Sequence, residues 1–154
     1  SRVAGHGQLI GQEALLRQAY RDDAVVCTPA TLRRIPAALL EQADWPAGGL
    51  PLALMRRWQA TLDESEFWST EVSVGPARRR VLQLLDRLQR HRDAQGRIWM
   101  PRRDQMGDML NQTIETCSRV LSALRREGVV ELLPARHAML DDTLLAAAMA
   151  RSNR

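Results

Sequence analysis

Glu115, Ser118 and Arg119 stand at i, i+3 and i+4 within the run Thr113-Ile114-Glu115-Thr116-Cys117-Ser118-Arg119. That spacing puts a carboxylate, a hydroxyl and a guanidinium on one face of a helix. The trio suits the base edges of a DNA major groove: a carboxylate accepts from a cytosine amino group, a guanidinium donates to guanine O6 and N7, and a hydroxyl serves a neighbouring base. The opposite face is apolar, with Ile114, Cys117, Val120, Leu121 and Leu124 recurring at helical spacing. Thr113 suits the N-cap and Gly128 the C-terminal stop. The pattern predicts a helix that docks one face on a core and shows the other to a partner.

Such a helix needs a second one to hold it. Arg103 to Leu110 carries Met106, Met109 and Leu110 at helical spacing, and Gly107 permits close packing. Between the two segments Asn111 tolerates the left-handed backbone that a tight turn demands. The result is a predicted helix-turn-helix with Glu115, Ser118 and Arg119 as base readers, and with Arg102, Arg103, Thr113 and Thr116 as phosphate contacts that set register. The apolar spacing alone would equally suit two helices of an ordinary α bundle. Turn, cap, small residue and polar triplet together favour the DNA reader.

The rest of the chain supplies the frame. Gly75-Pro76 interrupts it, Pro76 suits the first turn of a helix from Ala77 to Arg90, and Val81, Leu82, Leu84, Leu85 and Leu88 form the apolar face of that helix. Val129 to Leu133 and Arg136 to Leu140 flank Pro134-Ala135 and read as a two-stranded wing, with His137 as a phosphate contact. A short helix from Asp141 to Met149, capped by Asp141 or Asp142, ends the pattern. Upstream, Pro46-Ala47-Gly48-Gly49 marks a break, and Leu50 to Val74 reads as a long helix with Leu54, Trp58, Leu62, Ser65, Trp68 and Val72 on one stripe. Within residues 1–40, Gln8-Leu9-Ile10, Ala24-Val25-Val26-Cys27 and Thr31 to Ile35 read as strands. The fold class is α+β, mostly α.

From about Gly5 to Leu145 the chain resembles the C-terminal two thirds of a Crp/Fnr transcription regulator. The resemblance rests on Glu115-Thr116-Cys117-Ser118-Arg119, which is similar to the E-T-x-S-R signature of the Fnr-type branch, on Arg126-Glu127-Gly128-Val129-Val130 and on Met139-Leu140-Asp141. It implies that residues 1–45 are a remnant of a β-roll sensor of the cyclic-nucleotide-binding type, 46–75 a dimerisation helix and 76–154 a winged helix-turn-helix. On this resemblance the chain begins inside the β-roll, with most of the sensor upstream. It further implies a homodimer paired through Leu54, Trp58 and Leu62, a palindromic promoter site with half-sites near TTGAT, and RNA polymerase as a further partner. Asn111 and Gln112 depart from the family, which more often has Gly and an apolar residue there, so a less rigid turn is expected.

The family's cyclic-nucleotide members hold the ligand with a Gly-Glu-Leu-Ala segment and a following Arg with small residues. Gly11-Gln12-Glu13-Ala14 and Arg21-Asp22-Asp23 occupy those places here. Gln12 removes the acidic partner of the ribose, and Asp22 and Asp23 would repel a phosphate, so cyclic AMP is not the expected effector. An iron-sulfur centre needs a cysteine cluster, and Cys27 and Cys117 are the two cysteines of the 154 residues. Cys27 reads as a small apolar strand residue and Cys117 as core. No cofactor or metal motif is visible, and the effector is left open.

Composition bounds less. The net charge is +4, from 22 basic and 18 acidic residues, which suits a polyanionic partner. Every basic side chain is Arg, a bias that a GC-rich coding sequence explains more simply than phosphate binding does. No apolar run approaches the ~18 residues of a membrane span, and no signal-peptide pattern opens the chain, so a soluble, cytoplasmic protein is expected. His6, His91 and His137 lack neighbouring nucleophile or metal partners, so an enzyme is not expected. The alternative from another class is a protein-interaction module whose basic helical surface binds an acidic partner.

Overall fold

The computed structural model describes residues 3–21, 23–42, 49–72 and 74–152. The chain divides into two compact units, one of His6–Leu62 and one of Ser1–Gly5 with Asp63–Arg154. In order, the elements are a 3-10 turn at Gln12–Leu16, α1 (Ala37–Gln42), α2 (Gly49–Phe67), a π-helical turn at Trp68–Val72, α3 (Ala77–Gln89), β1 (Ile98–Trp99), α4 (Arg103–Leu110), α5 (Ile114–Arg126), β2 (Val130–Leu133), β3 (His137–Leu140) and α6 (Asp142–Ser152). The class is α+β with helix predominating.

In the unit His6–Leu62 the three predicted strands are absent. Residues 8–10, 24–27 and 31–35 are irregular, and Val25, Val26, Leu32 and Ile35 are exposed. A strand exists only as half of a hydrogen-bonded pair, and no described residue offers these runs a ladder, so their apolar composition alone cannot hold them extended. Gly11 at φ 73 and Arg17 at φ 54 bracket the 3-10 turn with left-handed backbone. Asp22 and the Pro46-Ala47-Gly48 break lie outside the described residues.

The predicted helix from Leu50 to Val74 is corrected at its end. The α-helix closes at Phe67 and the next five residues are π-helical. Ser69 and Thr70 hydroxyls both donate to the Glu66 carbonyl, at 2.9 and 2.8 Å, and such back-bonding competes with the regular ladder. Trp68 and Val72 are buried in the core of the second unit. The sequence stripe therefore divides: its C-terminal members pack within their own unit, while Trp58 is 37% and Leu62 63% exposed.

That core is built around α3. Val81, Leu82, Leu84, Leu85 and Leu88 are all buried and pack with Ile98, Met106, Leu110, Cys117, Leu121, Leu124, Val130, Ala138 and Leu145. Pro76 sits at the N-cap of α3, one residue earlier than its first turn, with φ −60 and ψ 145. Arg87 reaches back to α2, pairing with Glu64 at 3.0 Å and lying 3.8 Å from the centroid of the Phe67 ring. Glu64 also accepts from the Trp68 indole at 2.9 Å. The last turn of α2 is thereby fixed to α3.

The wing carries one more strand than the sequence suggests. β3 pairs antiparallel with β2 and also with β1, in the order β1-β3-β2, with Ile98 opposite Ala138 and Leu132 opposite Ala138 on the other side. Ala135 and Arg136 take φ 55 and 60 in the turn, and His137 N–H donates to the Pro134 carbonyl at 3.3 Å. Two consecutive positive φ values with this closing bond are the geometry of a tight hairpin. Asp141 is the cap of α6, its carboxylate accepting from Leu144 N–H at 2.9 Å.

Between α4 and α5 the chain turns on Asn111, at φ 49 and ψ 54. A Cβ on Gly107 would lie 2.7 Å from the Gln112 carbonyl oxygen, a distance backbone cannot yield cheaply. Gly107→Ala is therefore expected to destabilise the protein by about 1–3 kcal/mol, as overpacking commonly does. Thermal unfolding checks it: a melting temperature several degrees lower is expected, and an unchanged one would show that the turn is not closed against α4.

Candidate nucleic-acid interface

α5 is amphipathic as its spacing predicts. Cys117, Leu121 and Leu124 are fully buried, Val120 is half-buried, and Ile114 departs from the pattern by being exposed. Burial pushes the Cys117 thiol above its usual range, so it is held as the neutral thiol. The helix starts at the predicted cap: Thr113 Oγ1 accepts from Thr116 N–H at 3.2 Å, and the two hydroxyl oxygens lie 3.1 Å apart. At the other end Glu127 is the C-cap and Gly128, at φ 76, turns the chain out of the helix.

The outer face carries the proposed readers. Glu115 and Arg119 are exposed one helical turn apart, and Ser118 between them is half-buried. Its own backbone N–H and the Thr113 hydroxyl hold the Glu115 carboxyl below its ordinary range, so it is an ionised acceptor at neutral pH. Among the described residues Arg119 has neither an ion pair nor a hydrogen-bond partner, which leaves all its donors available. One face thus presents an acceptor and a fork of donors on a helix whose other face is immobilised.

The expected phosphate contacts fall into three groups. Thr113 and Thr116 sit at the first turn of α5, engaged with each other. Arg102 and Arg103 begin α4. Arg102 N–H donates to Gln105 Oε1 at 3.0 Å, and its guanidinium pairs with Asp104 at 3.0 Å on the surface. Arg103 is half-buried, with its guanidinium 3.7 Å from the Met106 sulfur. Burial pulls the Arg103 pKa down, aided by the repulsion of Arg125. His137 lies in β3, half-buried, next to the wing turn.

Sequence reasoning missed Arg136. From the wing turn its guanidinium donates to Gln105 Oε1 at 2.6 Å and lies 5.2 Å from the Trp99 ring centroid. It ties the wing to α4 while remaining exposed. Only the unforeseen pairing of β1 with β3 brings Trp99 beneath it, so no local signal could have marked it. Among the described residues no group of three His, Cys, Asp or Glu side chains could hold a metal ion. No helix of the described residues is long and apolar enough to cross a membrane.

Residues 79–147 match the Crp-like helix-turn-helix domain. The chain is 31% identical over 137 residues to the cyclic AMP receptor protein of Thermus thermophilus, an alignment that covers 86% of this chain and 61% of that relative's length. Among solved structures it is similar to a CRP-family transcriptional regulator, also from Thermus thermophilus, with a TM-score of 0.77, 25% identity, and coverage of 99% of this chain and 76% of that one. FixK2 from Bradyrhizobium japonicum matches with a TM-score of 0.59 and 28% identity over 74% of this chain and 59% of that chain. Together with a helix-turn-helix whose cap, turn and wing all fall at the positions described above, these findings show that residues 79–147 are a Crp-like helix-turn-helix domain and that the chain is similar to transcription regulators of the Crp family.

Proposed function

We propose that this protein is a sequence-specific DNA-binding transcription regulator that engages a palindromic promoter site as a homodimer, in the cytoplasm and with RNA polymerase as a further partner. The observation that carries the reading is the pairing of an ionised, exposed Glu115 with an exposed Arg119, which has no partner among the described residues, on the first turns of a helix otherwise locked in a core. In the major groove Glu115 accepts from a cytosine amino group, Arg119 donates to guanine O6 and N7, and Ser118 contacts a neighbouring base. Arg102, Arg103, Thr113, Thr116 and His137 set the register on phosphates. The half-site is of TTGAT type.

A helix that reads a few base pairs gains affinity and specificity when two copies bind symmetric half-sites. The exposed Trp58 and Leu62, with half-buried Leu54, supply the seam in this reading. Met55, also exposed, extends the same helical stripe. Thr61 and Ser65 dilute it, so the seam is modest.

The effector in this reading is not cyclic AMP. Gln12 Nε2 is engaged with the Leu9 carbonyl at 3.3 Å and Arg21 with Gln18 Oε1 at 3.2 Å, so both candidate ligand groups are held by their neighbours. Asp23, exposed beside Arg21, opposes a phosphate.

Three outcomes follow. Arg119→Ala should lose about 1–3 kcal/mol of discrimination between a TTGAT-type palindrome and a scrambled duplex, whereas Arg103→Ala should weaken both alike and reduce the salt slope by about one unit. Fluorescence-anisotropy titrations at several salt concentrations separate these, and an unchanged preference in Arg119→Ala would remove α5 as the reader. In analytical ultracentrifugation at tens of micromolar the chain should dimerise, and Trp58→Ala with Leu62→Ala should shift it to monomer, because truncation in a buried seam costs about 2–5 kcal/mol. A monomeric parent chain would show that α2 alone is not a sufficient interface. Calorimetric titration with cyclic AMP should give no micromolar binding, and such binding with enhanced DNA affinity would restore a cyclic-nucleotide sensor.

A further inference from the structure

Three consecutive arginines, Arg78-Arg79-Arg80, have the composition of a patch that attracts polyanions. Each instead serves a different neighbouring element. Arg78 pairs with Glu127 at the end of α5, with contacts of 2.8 and 2.5 Å. Arg79 reaches Glu71 in the π turn at 2.7 Å, where Gln83 also donates at 3.1 Å. Arg80 Nη1 donates to the Leu110 carbonyl at 2.7 Å and to the Asn111 carbonyl at 3.1 Å.

The Arg80 contacts fall where α4 most needs them. The last carbonyls of a helix have no partner within it, and a cation at that end is favoured by the helix dipole. Gln112, the next residue of the turn, is held on three sides. Its side-chain amide donates to the Ala77 carbonyl at 3.2 Å, its Oε1 accepts from the Cys117 thiol at 3.8 Å, and its backbone N–H donates to the Gly107 carbonyl at 2.9 Å. It thus joins α3, α4 and α5, where an apolar residue at the same place could form only the backbone bond. The turn expected to be looser for carrying Asn111 and Gln112 is bolted by one of them.

We propose that Arg80 and Gln112 are positioning residues for base readout, fixing the angle at which α5 leaves the turn. This rests on the DNA-reading function proposed above. Both side chains are turned to neighbouring elements, Arg80 to the Leu110 and Asn111 carbonyls and Gln112 to Ala77 and Cys117. Glu115 lies three residues beyond Gln112, and the bond from Gln112 to Cys117 ties the turn to the second turn of the reading helix. A small rotation at the turn is therefore carried directly to Glu115 and Arg119, whose hydrogen bonds to bases weaken steeply with misalignment.

The test uses the whole chain with Gln112→Met, Arg80→Met and Arg80→Lys. Gln112→Met keeps the side-chain length and the backbone bond to Gly107, and circular dichroism of each variant separates a lost clamp from a failure to fold. The ratio of affinities for a TTGAT-type palindrome over a scrambled duplex should fall by about tenfold in Gln112→Met and Arg80→Met, with scrambled-duplex affinity and salt slope unchanged. Arg80→Lys should recover part of the ratio, because one ammonium donor still serves the carbonyls. Amide hydrogen exchange from Thr113 to Cys117 should rise in the same variants while that of α6 stays as in the parent. A parent-like ratio together with parent-like exchange in Gln112→Met would overturn the proposal. If the parent itself shows no preference between duplexes, the DNA-reading function fails, and the exchange measurement alone then decides the clamp: faster exchange upholds it and unchanged exchange overturns it.

Discussion

The contact on which the site depends is between two stretches of backbone. The Gln112 carbonyl approaches α4 so closely that only a residue without Cβ fits at Gly107. That approach requires the chain to reverse within one residue, which Asn111 accomplishes in the left-handed region at a cost that Asn bears better than most residues. Thr113 follows immediately and caps α5, so that helix begins at a fixed place with the Thr116 N–H satisfied. Relaxing the first contact would move the cap, and with it Glu115 and Arg119. The chemistry on the surface is thus inherited from the packing beneath it.

α3 converts that local geometry into a rigid unit. Its apolar face supplies the centre of the core, and its arginines reach outward to the ends of neighbouring elements. The Arg87–Glu64 pair is mostly buried, with side-chain exposures of 12% and 19%. Taking such charges out of water is costly, and the cost is offset only where each group keeps further partners, as Glu64 does with Trp68 and Arg87 does with Phe67. The same pairs build the last turn of α2 and the π turn into the winged unit. Removing a single partner would leave a charge stranded, so the arrangement specifies geometry more than it adds stability.

Local physics made much of this legible. α4 runs from Arg103 to Leu110 and α5 starts after Thr113, as spacing and caps require, and the left-handed Asn111, the stop at Gly128 and the wing hairpin follow from single-residue preferences. Features that depend on distant partners were not legible. β1 is two residues long and has no periodicity of its own, so its pairing with β3 appears only in the folded chain, and Arg136 over Trp99 depends on it. The runs at residues 8–10, 24–27 and 31–35 have strand composition yet no ladder among the described residues. The bridging role of Gln112 was hidden because its partners, Ala77 and Cys117, are brought to it by two different helices. The outer face of α5, proposed above to read bases, was the easiest surface to delimit, since Glu115, Ser118 and Arg119 lie on one helix and its period alone places them together.

The claim at the centre is that this face of α5 reads sequence in DNA. Selection of bound duplexes from a random-sequence pool by the unmodified chain tests it without presupposing a site. The account predicts enrichment of a two-fold symmetric sequence whose half-sites hold a guanine for Arg119 and a cytosine for Glu115, with centres spaced by about one helical turn, roughly 34–36 Å. Recovery of a pool no different from the input, despite measurable binding, would contradict it and leave only the non-specific attraction of a basic protein for a polyanion.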